Sequence, residues 1–192
     1  MSLFEHVLII VLLISVSAFF SMSEIALAAS RKQRLRQLFS DGELRAKQVL
    51  ALQEHPGGFF TIIQIGLNAV AILGGILGEA AFTPTFVELL KFFYDGPALQ
   101  SLGFGFSVFF VTALFILFAD LMPKRLAMLA PEQVAVAVVR PILLLLIVLK
   151  PLVWLFNSIA NLVFKIFNVP IQRKDQITPE DIISMMDEGA EA

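Results

Sequence analysis

VLIIVLLISVSAFFSMSEIALAA, Val7 to Ala29, is apolar except for Ser15, Ser17, Ser21, Ser23 and Glu24. With a rise of about 1.5 Å per residue, about 20 residues cross the roughly 30 Å hydrocarbon core of a bilayer, so the stretch reads as a transmembrane helix. It presents hydroxyls and a carboxylate before it has left the lipid. An ionisable group there costs roughly 2.5 to 3.5 kcal/mol on insertion scales, so Glu24 and its serines are expected to face protein or water rather than acyl chains. We read Phe19 to Glu24 as the centre of an ion pathway.

Composition points the same way. Of 192 residues, 58% are hydrophobic, 16% are charged and 19 are Phe, the balance of an integral membrane protein. A net charge of -2 is too small to imply a nucleic-acid partner, and no basic patch is interleaved with stacking aromatics. The absence of cysteine excludes disulfides, thiolate metal sites and cysteine nucleophiles. There is no Gly-rich phosphate loop, nucleophile elbow or metalloprotease helix motif, so an enzyme is not expected. The apolar N-terminus lacks a basic flank and is followed by Arg31-Lys32-Gln33-Arg34, so it reads as a retained span and not a signal peptide.

Outward from that helix, residues 31–55 combine basic residues with leucines at helical spacing, interrupted by Ser40-Asp41-Gly42, and predict a helical hairpin on the cytoplasmic side. His55-Pro56-Gly57-Gly58 breaks the pattern. A second span is expected at about 59–78 and a third at about 104–122, beside a first at about 4–29. Basic residues cluster after spans one and three and are nearly absent between two and three, which places the N-terminus outside and the C-terminus in the cytoplasm of a multi-pass cell-membrane protein. From Pro131 to Phe167 the apolar runs are cut by Arg140-Pro141 and Lys150-Pro151, and we expect a bent interfacial belt at about 131–167. The competing reading joins Pro141 to Phe164 into a fourth span. Residues 1–170 thus form an all-α transmembrane domain of three spans, hairpin and belt. Residues 171–192 form a linker and an acidic helix opened by Thr178-Pro179-Glu180-Asp181.

Polar residues in the spans converge by depth and face. On a helix turning about 100° per residue, Ser17, Ser21 and Glu24 lie within roughly 60° of one another, whereas Ser23 points about 100° or more away. Thr61, Gln64, Asn68, Ala71, Gly75 and Gly78 make a small-or-polar stripe on the second span, and Thr112 and Asp120 lie on the third. Glycines in such a stripe let helices approach closely and leave carbonyls within an ion's reach. Hydroxyl, amide and carboxylate oxygens suit Mg²⁺ or Na⁺ better than zinc or copper. The bland alternative is that serines bond the carbonyl one turn back, and that Glu24 and Asp120 pair with Arg31, Lys124 or Arg125.

Three motifs are familiar in order. Phe19-Phe20-Ser21-Met22-Ser23-Glu24-Ile25-Ala26-Leu27, Thr61 to Asn68, and Asp120-Leu121-Met122-Pro123-Lys124-Arg125-Leu126-Ala127 resemble the transmembrane domain of the CorC and cyclin M (CNNM) magnesium transporter family. The resemblance implies a homodimer that exports Mg²⁺ in exchange for Na⁺ and is regulated by ATP at CBS modules following the acidic helix. By motif match, Ser21 and Asn68 carry over as Mg²⁺ ligands, with Glu24 and Asp120 in or beside the ion cavity. Ser17, Ser23 and Gly66 complete the candidate metal set. This chain has Asp120 where the family's third motif has Glu, which keeps the charge and shortens the reach. Two rival functions are a non-transporting Mg²⁺ sensor or scaffold, and a transporter of another divalent ion such as Co²⁺.

Overall fold

The computed structural model describes residues 3–167, all of whose regular elements are helical. The linker and acidic helix expected at 171–192 lie outside the described residues. The chain divides into two compact units between Val153 and Trp154.

In the first unit, α1 (Leu3–Ala29) contains neither Gly nor Pro. It stops where the Ser30 hydroxyl donates to the Ala26 carbonyl at 2.6 Å. Helices α2 (Lys32–Ser40) and α3 (Leu44–Glu54) form the expected hairpin. Gly42 takes a φ of 101° in the turn between them, a left-handed conformation that a Cβ would strain. Glu43 opens α3 by accepting hydrogen bonds from Arg45, through Nε and Nη2 at 2.8 Å and the backbone N–H at 3.2 Å.

The helices that carry the second and third expected spans run beyond them. Helix α4 runs Gly57–Lys91, where about 59–78 was expected, and contains Pro84. The region after Gly78 reads as a loop because Gly78, Pro84 and three acidic residues follow one another there, yet tertiary packing holds it helical. Phe82 and Phe86 meet Phe106 and Phe110 across a helical hairpin, with ring centroids 5.1 to 6.3 Å apart. Val87 fills the space that a Cβ on Gly103 would need.

The returning arm is likewise longer than the expected 104–122. It is a continuous apolar helix Leu99–Leu129, made of α5 (Leu99–Leu114), a π-helical turn (Phe115–Leu121) and α6 (Met122–Leu129). The Met122 N–H donates to the Leu117 carbonyl, five residues back. Pro123 follows directly. Its ring crowds the preceding turn and it has no N–H to donate, and a widened turn relieves both problems.

Pro131 to Phe167, where a bent belt is expected, forms two helices. Pro141 does not break α7, which is one helix over Pro131–Val148, and the break falls instead at Leu149, before α8 (Lys150–Ile166). Helix α7 packs on α1 and α3. Val139 and Ile142 enter a shared core with Leu35, Val49 and Phe59. The second unit begins within α8, whose Trp154, Leu155, Leu162 and Phe164 share the helix with Asn157, Ser158, Asn161 and Lys165.

Among the described residues, four helices are long and apolar enough to cross a membrane: Phe4–Ala29, Gly57–Lys91, Leu99–Leu129 and Pro131–Val148. Large apolar side chains are exposed along the first three, with Leu12 at 62%, Ile72 at 63% and Phe109 at 74%, which is the surface of a bundle whose solvent is lipid. At 18 residues, α7 reaches about 27 Å, the low end of what a span requires.

Candidate cation site

Helix α1 is the central element, packed on α4, α6, α7 and the π-turn. It approaches α4 closely because Gly66 has no side chain: a Cβ there would lie 2.5 Å from the Phe20 ring. On the other side of Phe20, Ser21 is fully buried and faces the π-turn. Its hydroxyl donates to Asp120 Oδ1 at 2.8 Å. Lys124, one turn further along, donates to the same Asp120 oxygen at 2.7 Å and lies 3.6 Å from Glu24 Oε2. Glu24 is one turn beyond Ser21 on α1, so two helices each contribute one polar pair to a single cluster.

The cluster is half-buried, with side-chain exposures of 20% for Glu24, 30% for Lys124 and 45% for Asp120. Two carboxylates share one ammonium, which leaves a formal charge of about one negative unit near the C-terminal end of α1. Burial in a low-dielectric setting makes such a surplus attractive to cations. Among the described residues, no group of three or more His, Cys, Asp or Glu side chains is arranged to hold a metal ion. The donor set is hydroxyl and carboxylate oxygen, joined by an intramolecular amine.

The other candidates sit elsewhere. Ser17 is buried one turn before Ser21 on the same face of α1. Ser23 is also buried, but its hydroxyl donates to the Phe19 carbonyl at 2.6 Å and it faces a small apolar void lined by Val49, Phe59 and Ile142, away from Asp120. Gly66 faces Phe20. Asn68 is exposed, and its carboxamide makes no hydrogen bond to Ser21 or Asp120. The structure therefore brings Ser21, Glu24 and Asp120 together and leaves Ser23, Gly66 and Asn68 outside that cluster.

Two further side chains bear on this region. Lys124 stands in sequence as a candidate partner of the acids, and the structure shows it bridging both. Gln53 has no sequence signal at all. Its Nε2 donates to the Leu27 and Ser30 carbonyls at 3.0 and 2.9 Å, tying α3 to the C-terminal end of α1. The Arg31 N–H donates to Glu132 of α7 at 3.1 Å at the same junction.

Residues 8–192 match the family described as the cyclin M transmembrane N-terminal domain. The chain belongs to that family. It is 52% identical to the polyamine export protein of Escherichia coli K12 over 97% of the chain and 42% of that relative. The protein of the same name from Salmonella typhimurium gives 52% identity over the same shares. The polyamine export protein of Haemophilus influenzae is 47% identical over 100% of the chain and 44% of the relative. The chain thus spans less than half the length of the curated relatives it matches. The apolar helices and the family together make it a multi-pass membrane protein.

Proposed function

We propose that this chain is the membrane portion of a cation exporter whose cargo carries primary ammonium groups, in the first instance a polyamine. The observation that carries this reading is the seat of the Lys124 ammonium, held by Asp120 at 2.7 Å and by Glu24 at 3.6 Å, with Ser21 orienting Asp120. A polyamine ends in the same group on the same kind of methylene stem, so a site that accepts one fits the other. The names of the relatives support the same cargo. In this reading Asp120 and Glu24 neutralise the cargo, and Ser21 holds Asp120 in place.

Mg²⁺ is the second reading. The oxygen-only contributions of Ser21, Glu24 and Asp120 favour it, since Mg²⁺ takes oxygen ligands and keeps much of its water. Here Ser21 is a ligand, Glu24 and Asp120 make the cavity electronegative, and Na⁺ entry drives export, while Asn68, the second ligand expected from the sequence, lies outside the cluster. Both readings take a homodimer of three-span chains with ATP acting at CBS modules beyond this segment. Packing of α7 on the polar helix α3 supports an interfacial position for α7, and the basic residues after Ala29 and Asp120 support a cytoplasmic inner end.

Flux decides between cargoes. The full-length protein, reconstituted in liposomes loaded with radiolabelled spermidine or with Mg²⁺, is expected to release spermidine at a rate that Asp120→Asn lowers about tenfold or more, the scale of a lost charge-assisted contact. Release of Mg²⁺ alone, dependent on an opposing Na⁺ gradient, would replace the polyamine reading with the second. Binding of either cation without release would favour a sensor.

A further inference from the structure

Lys124 occupies the place that a cargo cation would take. Its amine is one of the closest polar partners of Asp120 and also approaches Glu24, so an incoming cation meets carboxylates that are already engaged. The lysine is tethered one turn from Asp120 on the same helix, which gives it a high local concentration that does not depend on cargo. Its side chain is 30% exposed, so it has room to withdraw toward water. A flexible four-carbon stem permits that movement at little cost. Ser21 holds Asp120 independently of the lysine, so the carboxylate stays in position when the ammonium leaves.

We propose that Lys124 is a tethered competitor: its ammonium fills the Asp120–Glu24 seat in the empty transporter, and cargo binds by displacing it. This rests on the cation-exporter reading and adds a residue that sets affinity and selectivity. The exchange conserves charge at the seat, since one ammonium leaves as a cation enters. It lowers the affinity for every cation and thereby assists release. It also disfavours monovalent ions, because a single charge gains little by replacing another of equal sign and number, whereas a polycation or a divalent ion brings additional charge to both carboxylates. No tail, lid or partner is required. Lys124 is a specificity-determining residue and makes no covalent step.

This chain contains no cysteine, so Lys124→Cys introduces a single thiol to it, and any cysteine elsewhere in the full-length protein can be replaced. Spermidine and Mg²⁺ binding are measured on the detergent-solubilised full-length protein. Lys124→Cys is expected to bind the cargo about tenfold more tightly than the parent, the scale of one charge-assisted contact that no longer has to be broken. Aminoethyl methanethiosulfonate, which restores an ammonium on a stem of similar length, returns the affinity to the parent value. Methyl methanethiosulfonate, which adds a neutral cap, leaves it tight. Weaker or equal binding by Lys124→Cys in a protein whose melting temperature is unchanged overturns the competitor. So does an identical response to the two reagents. If the melting temperature falls, Lys124→Met and Lys124→Arg supply the same comparison, tight for Met and parental for Arg. Parental binding of spermidine or Mg²⁺ with no effect of Lys124 charge rejects the competitor alone. Binding absent from parent and variants rejects the exporter reading together with it.

Discussion

The Ser21 hydroxyl and the Asp120 carboxylate, 99 residues apart in the chain, meet at 2.8 Å where the first helix crosses a π-turn. The serine has no other side-chain partner among the described residues than Asp120, whose backbone carbonyl also lies 3.4 Å away. It therefore acts on the carboxylate and hardly on its own helix, unlike Ser15, Ser23 and Ser30, which bond the carbonyl one turn back.

Ser21→Ala should then separate function from fold. The lost hydrogen bond costs about 1 kcal/mol of stability, a small change in thermal unfolding of the detergent-solubilised protein. Export should fall about five- to tenfold, because Asp120 is freed to rotate about its side-chain bonds while Lys124 still holds one oxygen. Ser23→Ala is the control, expected to leave export within about twofold because its hydroxyl serves only the Phe19 carbonyl. Equal losses in both variants would refute the assignment of Ser21 to the site.

Gly66 and Phe20 form a testable packing pair. A Cβ at Gly66 would sit 2.5 to 2.9 Å from three ring carbons of Phe20, a residue only 8% exposed. Gly66→Ala should destabilise by about 1 to 3 kcal/mol, the usual cost of overpacking. Phe20→Leu in the same chain should recover a good part of the loss, since the smaller side chain makes room. Thermal unfolding of the two single variants and the double variant closes the cycle, and additive losses would mean that the two residues do not press on each other.

How much of this was legible in sequence depends on which force decides. The first span and the Ser17–Ser21–Glu24 face follow from local periodicity, and the structure puts Ser21 and Glu24 on one cluster. The extension of α4 to Lys91 was not legible, because Gly78 and Pro84 look like breakers and the Phe82 and Phe86 contacts that hold the helix come from α5. Pro141 misled in the same way: it sits inside α7, where burial of Val139 and Ile142 outweighs the missing N–H. The π-turn carries no propensity signal of its own, and Pro123 marks where it ends without fixing how wide it is. Depth alone suggested that Asn68 would meet Ser21, but depth says nothing about the face a residue occupies.

Outside the spans, Glu43 gives a pH handle. Its carboxylate is held down at about 2, from an ordinary 4.5, first by the side-chain hydrogen bonds from Arg45 and then by the Arg45 backbone N–H. A group whose value is depressed on folding stabilises the folded state above its unfolded value and loses that contribution as pH falls toward the folded one. The α2–α3 hairpin should therefore loosen between about pH 4.5 and pH 2, and Glu43→Gln should remove the dependence. The pair is about a third exposed, 36% for Arg45 and 33% for Glu43, so the effect is small and screened by salt. Hydrogen exchange of the α3 amides at pH 3 and pH 6 reads it directly, and an unchanged ratio in Glu43→Gln would show that another group titrates.

Asp120→Glu tests the cargo through reach. Asp120 already touches Ser21 at 2.8 Å and Lys124 at 2.7 Å, so a side chain longer by one methylene, about 1.5 Å, cannot keep both contacts without moving its backbone. In a polyamine exporter, whose ammonium is seated where Lys124 now lies, the overshoot should lower spermidine efflux several-fold, as misplacement of about 1 Å commonly does. In a Mg²⁺ transporter the longer acid gains reach toward the ion, and it restores the Glu that the family's third motif carries. Mg²⁺ efflux should then hold or rise. Measuring both effluxes on the one variant gives opposite signs for the two cargoes, so the ratio reports substrate class even if total expression changes. A fall in both by the same factor would place Asp120 in the scaffold of the helix crossing, with its carboxylate serving Ser21 and Lys124 and not the cargo.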